Sequence, residues 1–106
     1  MSISSPLLLN RIRQLIATPS VSSVSPQFDQ SNRPVIDLLA GWLDDAGFAV
    51  RIEPLPGRPN KANLIATLGQ GSGGLVLAGH TDTVPYDAGR WRCDPFGGAI
   101  IDERIY

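Results

Sequence analysis

Residues 63–80 read NLIATLGQGSGGLVLAGH, and the fold turns on how this stretch divides. Asn63 to Leu68 is a strand candidate, Gly69 to Gly74 is a glycine cluster, and Leu75 to Ala78 is a short, continuously apolar run bounded by turn signals. Such a run suits a strand buried on both faces, as in α/β sheets. The cluster also matches the G-x-G-x-x-G spacing of a dinucleotide-binding turn. That turn works only if a helix opens at its last glycine, so that the helical amides meet a pyrophosphate. Strand-like Leu75–Ala78 follows instead, and no βαβ unit opens the chain. A flexible, exposed connection between two strands is therefore expected, and nucleotide binding is rejected.

Toward the N-terminus, residues 33–46 have helical periodicity. Val35, Leu38, Leu39, Trp42 and Leu43 form one face, with Asn32 at the capping position and Gly47 as the left-handed closing residue. Phe48, Val50 and Ile52 then alternate with Ala49, Arg51 and Glu53, which is strand periodicity. Pro54 to Lys61 holds three prolines and a glycine and reads as a turn-rich connection. Ser5 to Ala17 is an amphipathic helix pattern: Leu8, Leu9, Ile12, Leu15 and Ile16 recur at three- and four-residue spacing. Ser5 is its expected cap, Pro6 suits the first helical position, and Thr18-Pro19 ends it. Ser20 to Ser31 is polar and irregular, and reads as a surface loop.

Toward the C-terminus, Pro85 to Gly98 reads as a long structured loop. Ala99–Ile101 and Arg104–Tyr106 suit a hairpin about Asp102-Glu103, although glutamate is a poor residue where a tight turn wants positive φ. The expected architecture is α/β: two helices, then a mixed sheet with strands near 48–54, 62–68 and 74–79, the apolar faces packing between helices and sheet. A last strand of three residues has nothing after it to cover the sheet, so the chain reads as the opening of a domain whose later part is absent.

The 106 residues hold 9 Lys plus Arg and 10 Asp plus Glu, a net charge of −1. That balance gives no electrostatic footprint for nucleic acid and no basic face for an anionic membrane. At 42% hydrophobic the chain is too apolar for disorder, and its 11 glycines and 9 prolines make it loop-rich. A chain of this length ordinarily buries roughly two-thirds of its unfolded surface. The single cysteine, Cys93, forms no internal disulfide, which suits a reducing compartment. No run approaches the ~20 apolar residues of a membrane helix, and a cytoplasmic location is expected.

Two segments carry chemistry. In Gly79-His80-Thr81-Asp82-Thr83-Val84-Pro85 the only histidine stands two residues before an aspartate, so both side chains share a face if the strand continues. Imidazole is a common zinc ligand whose second ring nitrogen needs an acceptor to fix its tautomer. A core histidine satisfied by an aspartate would look the same, and it is the simpler reading of one histidine, because a metal wants three or four protein ligands. In Trp91-Arg92-Cys93-Asp94-Pro95-Phe96 the aromatics either wall a pocket or anchor the loop, with anchoring the better reading. Cys93 has no base partner in view for a nucleophilic role.

The segment Gly79–Pro85, with Trp91, Asp94-Pro95-Phe96 and Tyr106, resembles the dinuclear-zinc aminoacylase and carboxypeptidase metallopeptidase family. The likeness extends over essentially the whole chain. Leu15–Ser22, Asp29–Asn32, the helix end from Leu39 to Phe48, Gly69-Gln70-Gly71 and Asp82–Trp91 narrow it to one deacylase subgroup. The resemblance implies that His80 binds one of two zinc ions per subunit, cobalt being an alternative metal, and that Asp82 orients it as an active-site residue. It also implies that residues 1–106 are the N-terminal portion of a zinc-peptidase-like catalytic domain. The remaining ligands, the general-base glutamate and a dimerising lid domain would lie beyond Tyr106. The implied reaction is hydrolysis of N-acetyl-L-ornithine to ornithine and acetate in arginine biosynthesis, by a homodimeric parent acting on a small N-acyl amino acid. The 106 residues alone are expected to be inactive. Rival readings are a succinyl-diaminopimelate desuccinylase or an aminoacylase, and a non-catalytic interaction module with an uncovered apolar sheet.

Overall fold

The helix that organises the molecule starts at Asn32-Arg33-Pro34. In the computed structural model, which describes residues 5–106, helix α2 runs Arg33–Asp45. The expected cap does not form at Asn32, whose side chain makes no capping hydrogen bond. Ser31 does that work, its Oγ accepting the Arg33 N–H at 3.1 Å. Asn32 instead pairs with the backbone of Ala62, donating Nδ2–H to its carbonyl and accepting its N–H, both at 2.9 Å. The carboxamide thus acts as one rung of a strand and staples the helix start to the sheet. At the other end Gly47 adopts φ +92°, as expected. The Phe48 N–H bonds the Leu43 carbonyl at 3.0 Å and the Gly47 N–H bonds Asp44 at 2.9 Å, the paired closure of a Schellman motif.

This closure feeds the chain into β1, Ala49–Leu55, which pairs antiparallel with β2, Arg58–Thr67. The register runs from Ala49 opposite Thr67 to Pro54 opposite Ala62, then shifts to place Leu55 opposite Arg58. Pro56-Gly57 makes the turn, with Gly57 at φ +74°, the conformation a type II turn requires of its second central residue. The expected connection over 54–61 is therefore mostly strand. A two-stranded ribbon is all edge, which is where a sheet tolerates proline. Helix α2 packs on both strands, and Val35 and Ile36 from the helix are buried with Ala62 of β2 and Val21.

Helix α1, Ser5–Ile16, forms as its spacing predicts, with Ser5 inside the helix rather than ahead of it. It does not pack on the sheet: none of its residues is buried, and Leu8, Leu9 and Ile12 are exposed. Two arginines tie it to distant parts of the chain. The Arg11 guanidinium lies 5.2 Å from the Trp42 ring centroid, and Arg13 packs against buried Gly98.

Leu75–Ala78 corrects the sequence reading. The run makes no ladder, and Leu75, Val76 and Leu77 are 84–88% exposed. A strand buried on both faces needs a hydrogen-bonded neighbour and a covering layer, and the described elements supply neither. Gly69–Gly74 is an exposed turn with Gly69, Gly71, Gly73 and Gly74 at positive φ. No helix begins at Gly74, as expected, but the turn leads to an unpaired run rather than to a strand. The C-terminal hairpin does form. Ile100–Ile101 (β3) pairs antiparallel with Arg104–Ile105 (β4), Asp102 and Glu103 taking φ +50° and +61°.

The chain is thus a mixed α/β arrangement with two separate antiparallel ribbons. Its radius of gyration is 16.1 Å, against about 13 Å for a compact domain of this length. Its 8310 Å² of accessible surface likewise exceeds the ~5,800 Å² typical of a folded monomer of its mass. Burial amounts to about half the unfolded surface rather than two-thirds, because α1 and the run 75–78 stay uncovered.

Candidate metal-ligand site around His80

The site is built from a loop that the sequence presents as mere surface. Pro19 turns the chain out of α1, and the next two residues, Ser20 and Val21, are among the most buried in the molecule, at 4% and 3% exposure. Val21 forms a parallel bridge with Thr83. The Thr83 N–H bonds the Ser20 carbonyl at 3.1 Å, and the Ser22 N–H bonds the Thr83 carbonyl at 2.9 Å. Ser20 Oγ donates to the Thr81 carbonyl. The backbone on either side of Asp82 is therefore held by three hydrogen bonds.

The loop 20–31 is itself tied down from the sheet. Lys61 of β2 donates from Nζ to Asp29 Oδ1 at 2.9 Å and to the Gln30 carbonyl. Asp29 Oδ1 also accepts the Ser23 N–H at 2.9 Å, while Gln30 brackets Val21, its Oε1 accepting the Val21 N–H at 2.9 Å and its N–H donating to the Val21 carbonyl at 2.8 Å. The Ser23 amide, and then the Lys61 ammonium, hold the Asp29 carboxyl below the usual carboxylate range.

On this frame His80 and Asp82 meet as their spacing predicts. His80 Nδ1 lies 3.1 Å from Asp82 Oδ1 and 3.1 Å from the Asp82 carbonyl. Both acceptors suit an Nδ1–H tautomer, which leaves Nε2 as the nitrogen with a free lone pair. The two side chains are 80% and 64% exposed, so the histidine is not the satisfied core residue of the simpler reading. They stand on an irregular segment rather than at a strand end.

His80 opens onto a cavity of about 510 Å³ whose walls include Leu15, Ile16, Val35, Leu39, Val84, Tyr86, Trp91, Pro95 and Phe96. Tyr86 and Phe96 meet edge to face, with centroids 5.1 Å apart and planes at 81°. Asp94 Oδ1 caps the turn beneath them by accepting the Phe96 N–H at 3.0 Å. The aromatics of the 91–96 loop thus wall a pocket as well as anchoring the loop. Cys93 is half-buried and is not among the lining residues. Sequence reasoning missed the roles of Ser20, Asp29 and Lys61, which lie in segments that read as a surface loop and a turn-rich connection, where polar residues carry no signal of burial.

Among the described residues, no group of three or more His, Cys, Asp or Glu side chains stands together to hold a metal ion. His80 fits one ligand position, with Nδ1 against two acceptors and Nε2 left for a metal, but the described residues offer no complete centre. No helix among the described residues is long and apolar enough to cross a membrane.

No protein-family model matches the chain. It is 51% identical over all 106 residues to the acetylornithine deacetylase of Pectobacterium carotovorum subsp. carotovorum (strain PC1), covering 28% of that protein. It is 55% identical over 106 residues to that of Proteus mirabilis (strain HI4320), covering 27% of it. With that of Pasteurella multocida (strain Pm70) it shares 54% identity over 101 residues, which is 26% of that protein. The chain is thus a sequence relative of the acetylornithine deacetylases along its entire length, and it spans about 27% of theirs.

Proposed function

We propose that these residues form the N-terminal part of the catalytic domain of a cytoplasmic, zinc-dependent acetylornithine deacetylase, which converts N-acetyl-L-ornithine and water to L-ornithine and acetate in arginine biosynthesis. The observation that carries this reading is identity of 51–55% with acetylornithine deacetylases over the whole chain, with the His80–Asp82 pair formed within it. The parent would act as a homodimer.

His80 is the one ligand these residues contribute, through Nε2. Asp82 holds the ring by Nδ1, which fixes its orientation and makes the imidazole a better donor. When bound, the metal ions polarise the amide carbonyl and lower the pKa of water, the two barriers to amide hydrolysis. The apolar wall beside His80, with Trp91 and the Tyr86–Phe96 pair, suits the aliphatic part of an acylated amino acid.

The test is a chimera in which this chain replaces the matching segment of the Proteus mirabilis protein. Hydrolysis of N-acetyl-L-ornithine in preference to N-succinyl-diaminopimelate supports the reading. Preference for the succinyl substrate moves the assignment to the desuccinylases. A folded chimera that cleaves neither supports the non-catalytic module.

A further inference from the structure

We propose that buried Ser20, clamped in place by Lys61 through Asp29 and Gln30, is a positioning residue that fixes the His80 imidazole by way of the Thr81–Thr83 backbone. The inference deepens the metal-ligand reading of His80 and rests on it for its functional meaning.

His80 and Asp82 are largely exposed, and their 3.1 Å contacts alone would hold the ring weakly in water. One of those contacts is to the Asp82 main-chain carbonyl, so the ring is aligned only while the backbone at Asp82 is fixed. The hydrogen bonds that fix it come from one buried residue and its neighbour. Ser20 takes the Thr81 carbonyl with its hydroxyl and the Thr83 N–H with its own carbonyl, and Ser22 takes the Thr83 carbonyl. A buried hydroxyl that donates to a carbonyl in a segment 61 residues away is not needed to close a local turn.

Ser20 would drift with its loop unless the loop were held. Lys61 is at the edge of burial, its side chain only 11% exposed, and it spends two of its three donors on Asp29 and Gln30. A lysine is expensive to bury, so one placed here with two of its donors on a single loop is a tether. The lock thus runs from β2 through Lys61 to the 29–30 segment, through Gln30 to Val21, and from Ser20 to the backbone at Asp82. Its output is the Nδ1–H tautomer of His80, with Nε2 left free.

The experiment is nitrogen-15 NMR of the His80 ring in the 106-residue chain at alkaline pH, where imidazole is neutral. Wild type, Ser20→Ala, Ser20→Thr and Lys61→Gln are compared, with amide shifts of β1 and β2 reporting the intact fold. The wild type shows mainly the Nδ1–H form. Ser20→Ala and Lys61→Gln shift the tautomer ratio toward that of free imidazole by about twofold to tenfold, the span of one net hydrogen bond. Ser20→Thr, which keeps the hydroxyl, retains the wild-type ratio. A merely structural Ser20 would lower the unfolding midpoint and leave the ratio in the folded population unchanged, and that result overturns the proposal. Should Ser20→Ala fail to fold, Lys61→Gln decides by the same ratio. If the metal role of His80 fails separately, these shifts still stand or fall by themselves, since no metal enters the measurement.

Discussion

Replacing Asn32 with alanine should destabilise the chain more than any exposed substitution. The Asn32 carboxamide makes two 2.9 Å hydrogen bonds to the backbone of Ala62, which is only 2% exposed. Alanine leaves a buried N–H and a buried carbonyl without partners, at about 1–3 kcal/mol for each group. Partial access of water to the shortened site reduces the sum, and a loss of about 2–4 kcal/mol is expected. It falls where α2 joins β2, where the other side-chain bond to the strand backbone, from Ser31 Oγ to the Asn60 carbonyl at 2.6 Å, leaves the Ala62 groups unsatisfied. Urea unfolding followed by far-ultraviolet circular dichroism measures it. With a slope of about 1 kcal/mol per molar, the midpoint drops by roughly 2–4 M at unchanged slope. Asn32→Asp keeps the acceptor for the Ala62 N–H and loses the donor to its carbonyl, so it falls between wild type and alanine. An alanine variant within about 0.5 kcal/mol of wild type would refute the staple, placing Asn32 among ordinary surface positions.

Gly98→Ala should cost about 1–2 kcal/mol, since Gly98 sits at φ +58° and a Cβ there would lie 3.2 Å from Arg13 Cγ; thermal unfolding measures it. Glu103→Gly should stabilise the hairpin by about 1 kcal/mol, because Glu103 holds φ +61°, and Ile100 and Ile105 amide-exchange protection should rise with it. The Asp29 carboxyl is held below its ordinary value, so its contribution to stability is complete above that value and is lost as pH falls through the lowered folded one. Asp29→Asn should therefore flatten the acid limb of the stability–pH curve and leave its neutral-to-alkaline shape unchanged, as read by denaturant midpoints across pH.

What the sequence made legible is what local patterns encode. The span of α2 and its closure at Gly47 were readable because periodicity and a positive-φ glycine act within a few residues, whereas Ile36, buried beside Val35, lies outside the expected face. Alternation at Phe48–Ile52 likewise located β1. The hairpin at Asp102-Glu103 formed despite an unfavourable glutamate, its Tyr106 N–H bonding the Ala99 carbonyl at 2.9 Å outside the turn. Leu75–Ala78 misled because apolar composition states only that a segment seeks cover, while a strand also needs a partner. Asn32 misled because a carboxamide bonds a strand as readily as a helix start, and nothing nearby in sequence says which. Spacing placed His80 and Asp82 on one face and the family resemblance singled them out, and they meet although no strand carries them. The frame beneath them was invisible: Ser20 reaches 61 residues along the chain and Lys61 reaches back 32, separations at which no periodicity operates.

The central claim is that His80 is a metal ligand oriented by Asp82, and metal content measures it most directly. In the folded Proteus mirabilis chimera carrying this chain, His80→Ala should lose about one metal ion per subunit, the ion whose coordination needs that nitrogen. Asp82→Ala should keep more metal while hydrolysis of N-acetyl-L-ornithine falls by about 10- to 100-fold. Unchanged metal content and unchanged turnover in a folded His80→Ala chimera would contradict the account, and would leave Asp82 without the role given to it.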